Sequence, residues 1–402
     1  MAAHLYSEHL VNIRSLTIQA ILSSFVNEDT RIWLSGDGGD FSLSHESVTT
    51  TIKLPVAVPD HARGNLVLPA RPSKDLSFRL RIDETANLAG RALGGTTRAV
   101  EGHQGTGEKR QVGETTTIVP WTSRTLSNQI ALHCNKCNGT IMHPGTIQQW
   151  KDLPSESWAE MMEFWHCHKP AEPADGTHQT AKKGYAAGST LTIASTIGLI
   201  NATSFILATD DCTNVQMVDA AQANDTTAQN ALVCSSCNTP LGTLDSVTNS
   251  YKLSKLALSV SHGAERLQSF SVTKWLSCHL LSAMDDQGLR RFIVTSKTGT
   301  HKALLLWLFT PDLGIASSAS PENRPLRVTK VLWKQAPAEA QEARLDAHSL
   351  SQGEIEMPGF ELDALRRSLE DTAALLPEQA RLFQDWKVAL LERFTEEDDL
   401  SI

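Results

Sequence analysis

The sequence predicts an α+β fold that is β-rich, with two strand-rich halves clipped together by a structural zinc site and with few helices. Three observations predict it: short β-branched segments separated by turn residues, a small number of well-separated helical patterns, and two matched Cys-x-x-Cys motifs. With 402 residues, of which 41% are apolar, the chain can bury a sizeable core.

Residues 1–82 are predicted to form an N-terminal β-rich segment. Its candidate strands are short and separated by turn signals; they are 15–22, 29–35, 40–45, 48–55 and 76–82. Residues 83–127 are rich in Gly, Thr and Arg and lack sustained periodicity, so we predict a flexible loop there.

Residues 128–335 are predicted to form a core of strands and two helices. The first helix is expected over 153–165, where Ser157 and Glu160 fit a capping box. The second is expected to start after Ser271 and to end near Gly288. Its apolar face would comprise Val272, Trp275, Leu276, His279 and Leu280. The candidate strands are 189–196, 201–209, 251–261, 292–296, 302–309 and 325–333.

Residues 336–402 are predicted to form a C-terminal helical segment. A loop through residue 357 would be followed by one or two amphipathic helices from Leu362 to about Phe394.

Charge and hydropathy exclude several classes of partner. The formal net charge of −9 repels phosphate backbones, so we expect no direct nucleic-acid binding. The longest apolar run, 303–309, is far shorter than the ~20 residues of a bilayer span, so we expect no membrane segment. The N-terminus does not fit a signal peptide, and we expect a reducing compartment in which cysteines serve as metal ligands or thiols.

Two segments, 131–138 and 231–238, share the pattern Ala-Leu-x-Cys-x-x-Cys-Asn, which indicates a pair of zinc knuckles. In each, Asn138 or Asn238 can adopt the left-handed conformation that the turn requires after its second cysteine. Four thiolates then complete a closed tetrahedral site, which is structural rather than catalytic. The predicted ligands are Cys134, Cys137, Cys234 and Cys237. Alternatives are unrelated turns with buried thiols, or a redox pair; the shared pattern also suggests an internal duplication.

The motifs LHCNKC, LPSESW, FWHCH and VCSSCNTPLG follow one another in this order along the chain, and that order resembles the HECT-like, E2-binding ubiquitin-ligase family, which has animal and fungal members. The resemblance covers most of the chain and implies that 128–335 form a zinc-knuckle HECT-like core. It further implies an E3 ubiquitin-protein transferase that binds a ubiquitin-conjugating enzyme (E2). The matching E2-contact segment would be roughly 262–283, including Trp275.

The same resemblance links the protein to pre-mRNA 3′-end processing in the nucleus and cytoplasm. It implies docking on the zinc-dependent cleavage and polyadenylation endonuclease, where a thiolate from Cys167 could fill an open metal position. The implied docking residues are Leu153, Pro154, Ser155, Trp158, Trp165, Cys167 and His168. By the residues alone, the cluster around Cys167 could equally be buried within its own fold.

A HECT-type ligase needs an exposed, partly ionised thiol to carry ubiquitin. Cys278 lies one position off an apolar helical stripe and is expected to be partly exposed, which makes it a candidate beside Cys167. Cys212 follows two aspartates that would raise its pKa. No cysteine follows Cys278, so the C-terminal Thr-Cys of true HECT ligases is missing. The alternative function is therefore a non-catalytic chaperone or inhibitor of the nuclease.

Overall fold

The computed structural model describes residues 3–69, 71–82, 117–153, 193–218, 230–246, 248–263, 267–296, 301–336 and 352–398. Within these ranges the chain forms 22 strands in four sheets and three α-helices, so the β-rich α+β class is confirmed. None of the helices in the described ranges is long and apolar enough to cross a membrane.

The largest sheet joins the two ends of the chain. Its nine strands, numbered in chain order, are β1 (Ala3–Leu10), β2 (Ser15–Leu22), β6 (Asp75–Arg81), β17 (Arg291–Ser296), β18 (Leu304–Ser317), β19 (Leu326–Gln335), β20 (Gly353–Met357), β21 (Leu382–Phe383) and β22 (Trp386–Glu392). The order is β21-β22-β19-β18-β1-β2-β6, and β17 pairs with both β18 and β20. The antiparallel pair of β1 and β18, with Tyr6 opposite Ser317, connects the N-terminal and C-terminal strands.

A small antiparallel sheet covers the N-terminal strands. It consists of β3 (Arg31–Leu34), β4 (Asp40–His45) and β5 (Val48–Lys53), and the short helix α1 (Asp60–Arg63) follows it. Phe41 and Ile52 of this sheet pack with Ile18 of β2 in one buried core, because their side chains alternate toward the same face.

The central part of the chain forms two further sheets around one core. The seven-stranded sheet contains β9 (Gln149–Asp152), β10 (Ile197–Ile200), β11 (Ser204–Ala208), β12 (Val215–Met217), β13 (Ala231–Cys234), β14 (Pro240–Asp245) and β15 (Ser250–Ser254). The three-stranded sheet contains β7 (Ile130–Cys134), β8 (Thr140–Met142) and β16 (Leu258–His262). Leu132 and Leu232 of the two sheets belong to the same buried cluster.

Helix α2 (Val272–Gln287) lies between the central core and the core of the large sheet. The Ser271 side chain caps its first turn by accepting from the Lys274 N–H, and Gly288 ends it with φ 66°, as predicted. Trp275 packs into the central core, whereas Leu276 packs beneath the large sheet. Helix α3 (Gly359–Thr372) packs on the same side of the large sheet through Leu362 and other leucines.

The predicted helix to Phe394 is wrong beyond Thr372. Residues 386–392 form β22, which pairs with β19. Four successive apolar residues, 388–391, are all buried because this strand is covered on both faces. A continuous apolar run of this kind cannot be distinguished from a helix by periodicity.

Three further predictions of local structure are corrected. Residues 353–357, predicted as loop, form β20 parallel to β17. The single strand predicted over 251–261 is two strands, because a 3-10 turn at Lys255–Ala257 carries the chain from one central sheet to the other. In the predicted strand 189–196, the described residues 193–196 form a turn that the Asp211 carboxylate holds by accepting from the Ser195 hydroxyl at 2.7 Å.

Several predictions fall on residues outside the described ranges. These are the helix 153–165 after Leu153 and the loop 83–127 up to residue 116. The end of that loop is packed rather than loose, since Trp121 is buried in the central core. The division of the chain into four segments stays a prediction.

Candidate metal centre

The first knuckle is the turn that joins β7 to β8. The Cys134 N–H donates to the Gly139 carbonyl at 2.9 Å, and the Asn138 N–H donates to the Cys134 carbonyl at 2.8 Å. Asn138 has φ 59°, the left-handed conformation expected from the sequence. The turn therefore brings Cys134 and Cys137 to one side of the hairpin.

The second knuckle, between β13 and β14, repeats this geometry. The Cys234 N–H donates to the Thr239 carbonyl at 2.9 Å, the Asn238 N–H donates to the Cys234 carbonyl at 2.8 Å, and Asn238 has φ 56°. Both hairpins also shift register directly after a leucine, Leu132 in one and Leu232 in the other. The common sequence pattern thus encodes a common local structure.

The two turns bring four sulfur atoms together. The Sγ atoms of Cys134 and Cys237 are 3.6 Å apart, as are those of Cys137 and Cys234, and all four lie within 4.8 Å of one another. Tetrahedral coordination with metal–sulfur bonds of about 2.3 Å requires sulfur separations of about 3.8 Å, whereas a disulfide bond is about 2.0 Å long. The cluster could therefore hold one metal ion, and its distances do not fit a disulfide.

Backbone contacts fix both knuckles to their surroundings. The Asn135 N–H donates to the Ala257 carbonyl at 3.0 Å, and the Ser235 N–H donates to the Asn214 carbonyl at 2.9 Å. Cys134 and Cys234 are buried, whereas Cys137 is exposed. Four protein ligands leave no open coordination position, so the arrangement fits a structural site that joins the three-stranded and seven-stranded sheets.

The protonation of the cluster favours metal capture. Hydrogen bonds from the Thr239 side chain and backbone lower the pKa of Cys237 to about 6, and the Thr239 hydroxyl lies 3.1 Å from the sulfur. Burial raises the pKa of the Cys134 thiol. One thiolate is thus available at neutral pH, and binding of a metal ion would displace the protons that remain on the other thiols.

A family model described as HECT-like ubiquitin-conjugating enzyme (E2)-binding matches residues 8–388. The chain belongs to this family. An uncharacterized protein of Saccharomyces cerevisiae is 25% identical over 271 residues, 67% of this chain and 71% of that protein. An uncharacterized protein of Schizosaccharomyces pombe is 24% identical over 296 residues, 69% of this chain and 78% of that protein. No solved structure matches the chain.

In this member of the HECT-like family, the side chain expected to contact the E2 is part of the core. Trp275 is buried, with its ring centroid 5.1 Å from that of Trp121 and 4.8 Å from that of Phe394. At 3% exposure, the indole presents almost no surface to a partner. Its place on the apolar stripe of α2 already indicated core packing, whereas the E2 contact was implied by the resemblance alone.

The described cysteines outside the cluster do not offer a nucleophile. The expectation that Cys278 is partly exposed is wrong, because α2 is packed on two sides; burial raises the pKa of this thiol to about 11. Burial and the adjacent Asp211 raise the pKa of Cys212 to about 12. Neither thiol provides the exposed thiolate that thioester formation requires.

The predicted nuclease-docking residues lie outside the described ranges, apart from the first. These are Pro154, Ser155, Trp158, Trp165, Cys167 and His168. Leu153 is half-buried and extends the central sheet, since its N–H donates to the Ile200 carbonyl at 2.7 Å.

A buried lysine in the HECT-like core was missed from the sequence. The Lys255 Nζ donates to the carbonyls of Pro120 and Trp121 at 3.1 and 3.2 Å, and lies 5.4 Å from the ring centroid of Phe205 and 5.6 Å from that of Trp275. Lys255 thereby fixes the segment that enters the core at Trp121. The available signal was the strand predicted over 251–261, in which Lys255 stands two residues after Leu253 and would share its face. In the structure Lys255 begins the 3-10 turn after β15.

We expect Lys255→Met to change how stability depends on pH. Burial lowers the pKa of Lys255 from 10.5 to about 7, and Cys278 and Asp152 oppose this shift. Between these pH values Lys255 is protonated in the unfolded chain and neutral in the folded protein. The free energy of unfolding of wild type therefore rises with pH in this range, and this gain is lost as the pH falls to 7. Urea unfolding at pH 7, 8 and 9 should show wild type gaining stability relative to Lys255→Met. Parallel pH profiles would contradict the prediction.

Proposed function

We propose that this protein is an E3 ubiquitin-protein ligase-like protein that binds an E2. The observation that carries the proposal is the family match over residues 8–388, which includes strands of all four sheets and both long helices. Such a match applies to the assembled core rather than to a single motif, so E2 binding is proposed as a property of the whole fold.

The metal of the four-cysteine cluster is proposed to be zinc in a structural role. Four thiolates at tetrahedral distances are a ligand set typical of zinc, and zinc has no redox chemistry of its own. The bound ion would hold the two hairpins together and would take no part in ubiquitin transfer. The chain's own contribution is the pair of turns that fix the four sulfur atoms.

The two described thiols outside the four-cysteine cluster, the buried Cys278 and the half-buried Cys212, support one proposed route for ubiquitin. Outside the four-cysteine cluster, the described part of the chain has no exposed cysteine. We therefore infer that an acceptor amine attacks the thioester of the bound E2 directly, which forms the isopeptide bond and releases the E2 thiol. The ligase-like protein would orient the E2 and would not carry ubiquitin itself.

The test is incubation of the full-length protein with activating enzyme, E2, ATP and ubiquitin, followed by electrophoresis without reducing agent. We expect isopeptide-linked products that resist reducing agent, and no thiol-sensitive adduct on this protein. Cys278→Ser and Cys212→Ser should leave product formation unchanged. A thiol-sensitive adduct that disappears in Cys278→Ser or in Cys167→Ser would contradict direct transfer.

The second candidate is a non-catalytic chaperone or inhibitor of the zinc-dependent endonuclease of pre-mRNA 3′-end processing, acting in the nucleus and cytoplasm. The half-buried Cys212 and the buried Cys278, whose thiols have raised pKa values, favour it, because a binding protein needs no reactive thiol of its own. Docking is proposed through residues 153–168. Absence of any ubiquitin product, together with a nuclease pull-down that is lost in Cys167→Ala and Trp158→Ala, would support this candidate over the ligase.

A further inference from the structure

Strand β18 presents different side chains on the two faces of the large sheet. Leu304, Leu306 and Leu308 are buried in the core beneath helices α2 and α3. Because successive side chains of a strand point to opposite faces, Trp307 lies on the face away from these helices. The pairing of β18 with β19 shifts register between Leu308 and Thr310, and the ring of Phe309 lies against that of Trp307 on the same face. Phe309 is 42% exposed, so the helices leave this part of the sheet uncovered.

Four rings form an aromatic face there: Trp307, Phe309, Phe383 and Trp386. The ring centroids of Trp307 and Phe309 are 5.1 Å apart, those of Phe309 and Phe383 6.0 Å, and those of Trp307 and Trp386 6.3 Å. Phe383 and Trp386 are directly opposite each other in the β21–β22 hairpin. Three strands therefore contribute to one continuous apolar surface.

The aromatic face lies at the solvent-exposed edge of a buried core. Trp307 and Trp386 pack against a cluster that includes Leu332 and Val388, whereas Phe383 is 44% exposed and Phe309 is 42% exposed. Scattered exposed apolar residues need no explanation, but a contiguous group of them indicates an interaction surface.

Two cations lie on the rings of this surface. The Arg291 guanidinium lies 4.5 Å from the ring centroid of Trp307, and the Lys334 Nζ lies 4.5 Å from that of Trp386. Lys334 also pairs with Asp385 at 2.6 Å, which leaves Arg291 as the cation that can meet an incoming carboxylate. The aromatic face thus combines exposed rings with one guanidinium, a combination that complements an apolar side chain flanked by an acidic group.

We propose that the aromatic face is the surface on which the E2 docks, with an apolar E2 loop flanked by carboxylates seated on Phe309 and Phe383. The inference rests on the proposed E2 binding and assigns it to residues outside the 262–283 segment. Single-stranded nucleic acid fits this surface less well, because Arg291 and Lys334 already cover ring faces on which bases would stack.

The test compares full-length wild type with the double variant Phe309→Ser, Phe383→Ser against a biosensor panel of purified E2 enzymes. Loss of two central aromatic side chains should weaken the affinity for the bound E2 about 30-fold. Arg291→Glu, which keeps both rings, should slow association and reduce its dependence on salt. This single variant keeps the test valid if the double variant does not fold.

Phe25→Ser is the matched control. Phe25 is a 58% exposed ring with the Lys74 Nζ 5.4 Å from its centroid, and it follows β2, which β1 separates from β18. It should leave the affinity for the E2 unchanged.

Equal E2 affinity in wild type and in the aromatic-face variants would overturn the inference and leave the proposed function intact. Unchanged E2 affinity with a loss of self-association, measured by light scattering, would assign the face to a second copy and also overturn it. Failure of wild type to bind any E2 of the panel would overturn the proposed function itself.

Discussion

Replacing Cys137 by serine is expected to abolish tight metal binding and to lower the unfolding temperature by on the order of 10 °C. The three remaining sulfurs would lack the fourth ligand of a closed site, and the two hairpins would lose their shared ion. Structural zinc contributes about 10–16 kcal/mol in small zinc modules, and a fold with other cores should lose a fraction of that. Because Cys137 is exposed, lost core packing cannot cause the effect.

The measurements are the metal content of the purified protein, by elemental mass spectrometry, and thermal unfolding with and without a chelator. Wild type should contain one zinc ion per chain, and the chelator should reduce its unfolding temperature to that of Cys137→Ser. Cys212→Ser is the control, since this half-buried cysteine lies outside the cluster. Metal-free wild type with the same stability as Cys137→Ser would show that the four sulfurs converge without binding an ion.

Replacing Trp275 by alanine is expected to destabilise the fold by about 3–5 kcal/mol, as for other large aromatic residues removed from cores. The indole contacts Trp121 and Phe394, and its ring centroid lies 5.6 Å from the Lys255 Nζ. Its removal therefore opens a cavity in the core and takes away one of the aromatic rings beside the buried amino group of Lys255. The same change should not weaken E2 affinity per folded molecule, because the ring is not on the surface.

Urea unfolding gives the first quantity, and E2 titration under strongly folding conditions gives the second. Trp33→Ala is the matched control: Trp33 is an exposed tryptophan on β3, and its removal should change stability by less than about 0.5 kcal/mol. Unchanged stability together with lost E2 binding would return Trp275 to the role of a direct contact.

The four-cysteine cluster could be predicted from the sequence because its geometry is local. Each Cys-x-x-Cys-Asn turn is fixed by short-range hydrogen bonds and by one left-handed asparagine, and the sequence repeats it. The same holds for the ends of α2, where Ser271 and Gly288 act within one helical turn. The family, too, was evident from the order of motifs along the chain, and the match over 8–388 confirms it.

Burial and strand pairing were decided by the tertiary structure. Cys278 is buried because two separate cores meet at α2, and residues 386–392 form a strand because β19 offers a partner edge. The pKa of Lys255 is lowered because the side chain is buried, and part of its surroundings is the Trp121 segment, more than one hundred residues earlier in the chain. Such contacts join residues that are distant in the chain, and local pattern carries no information about which of them meet.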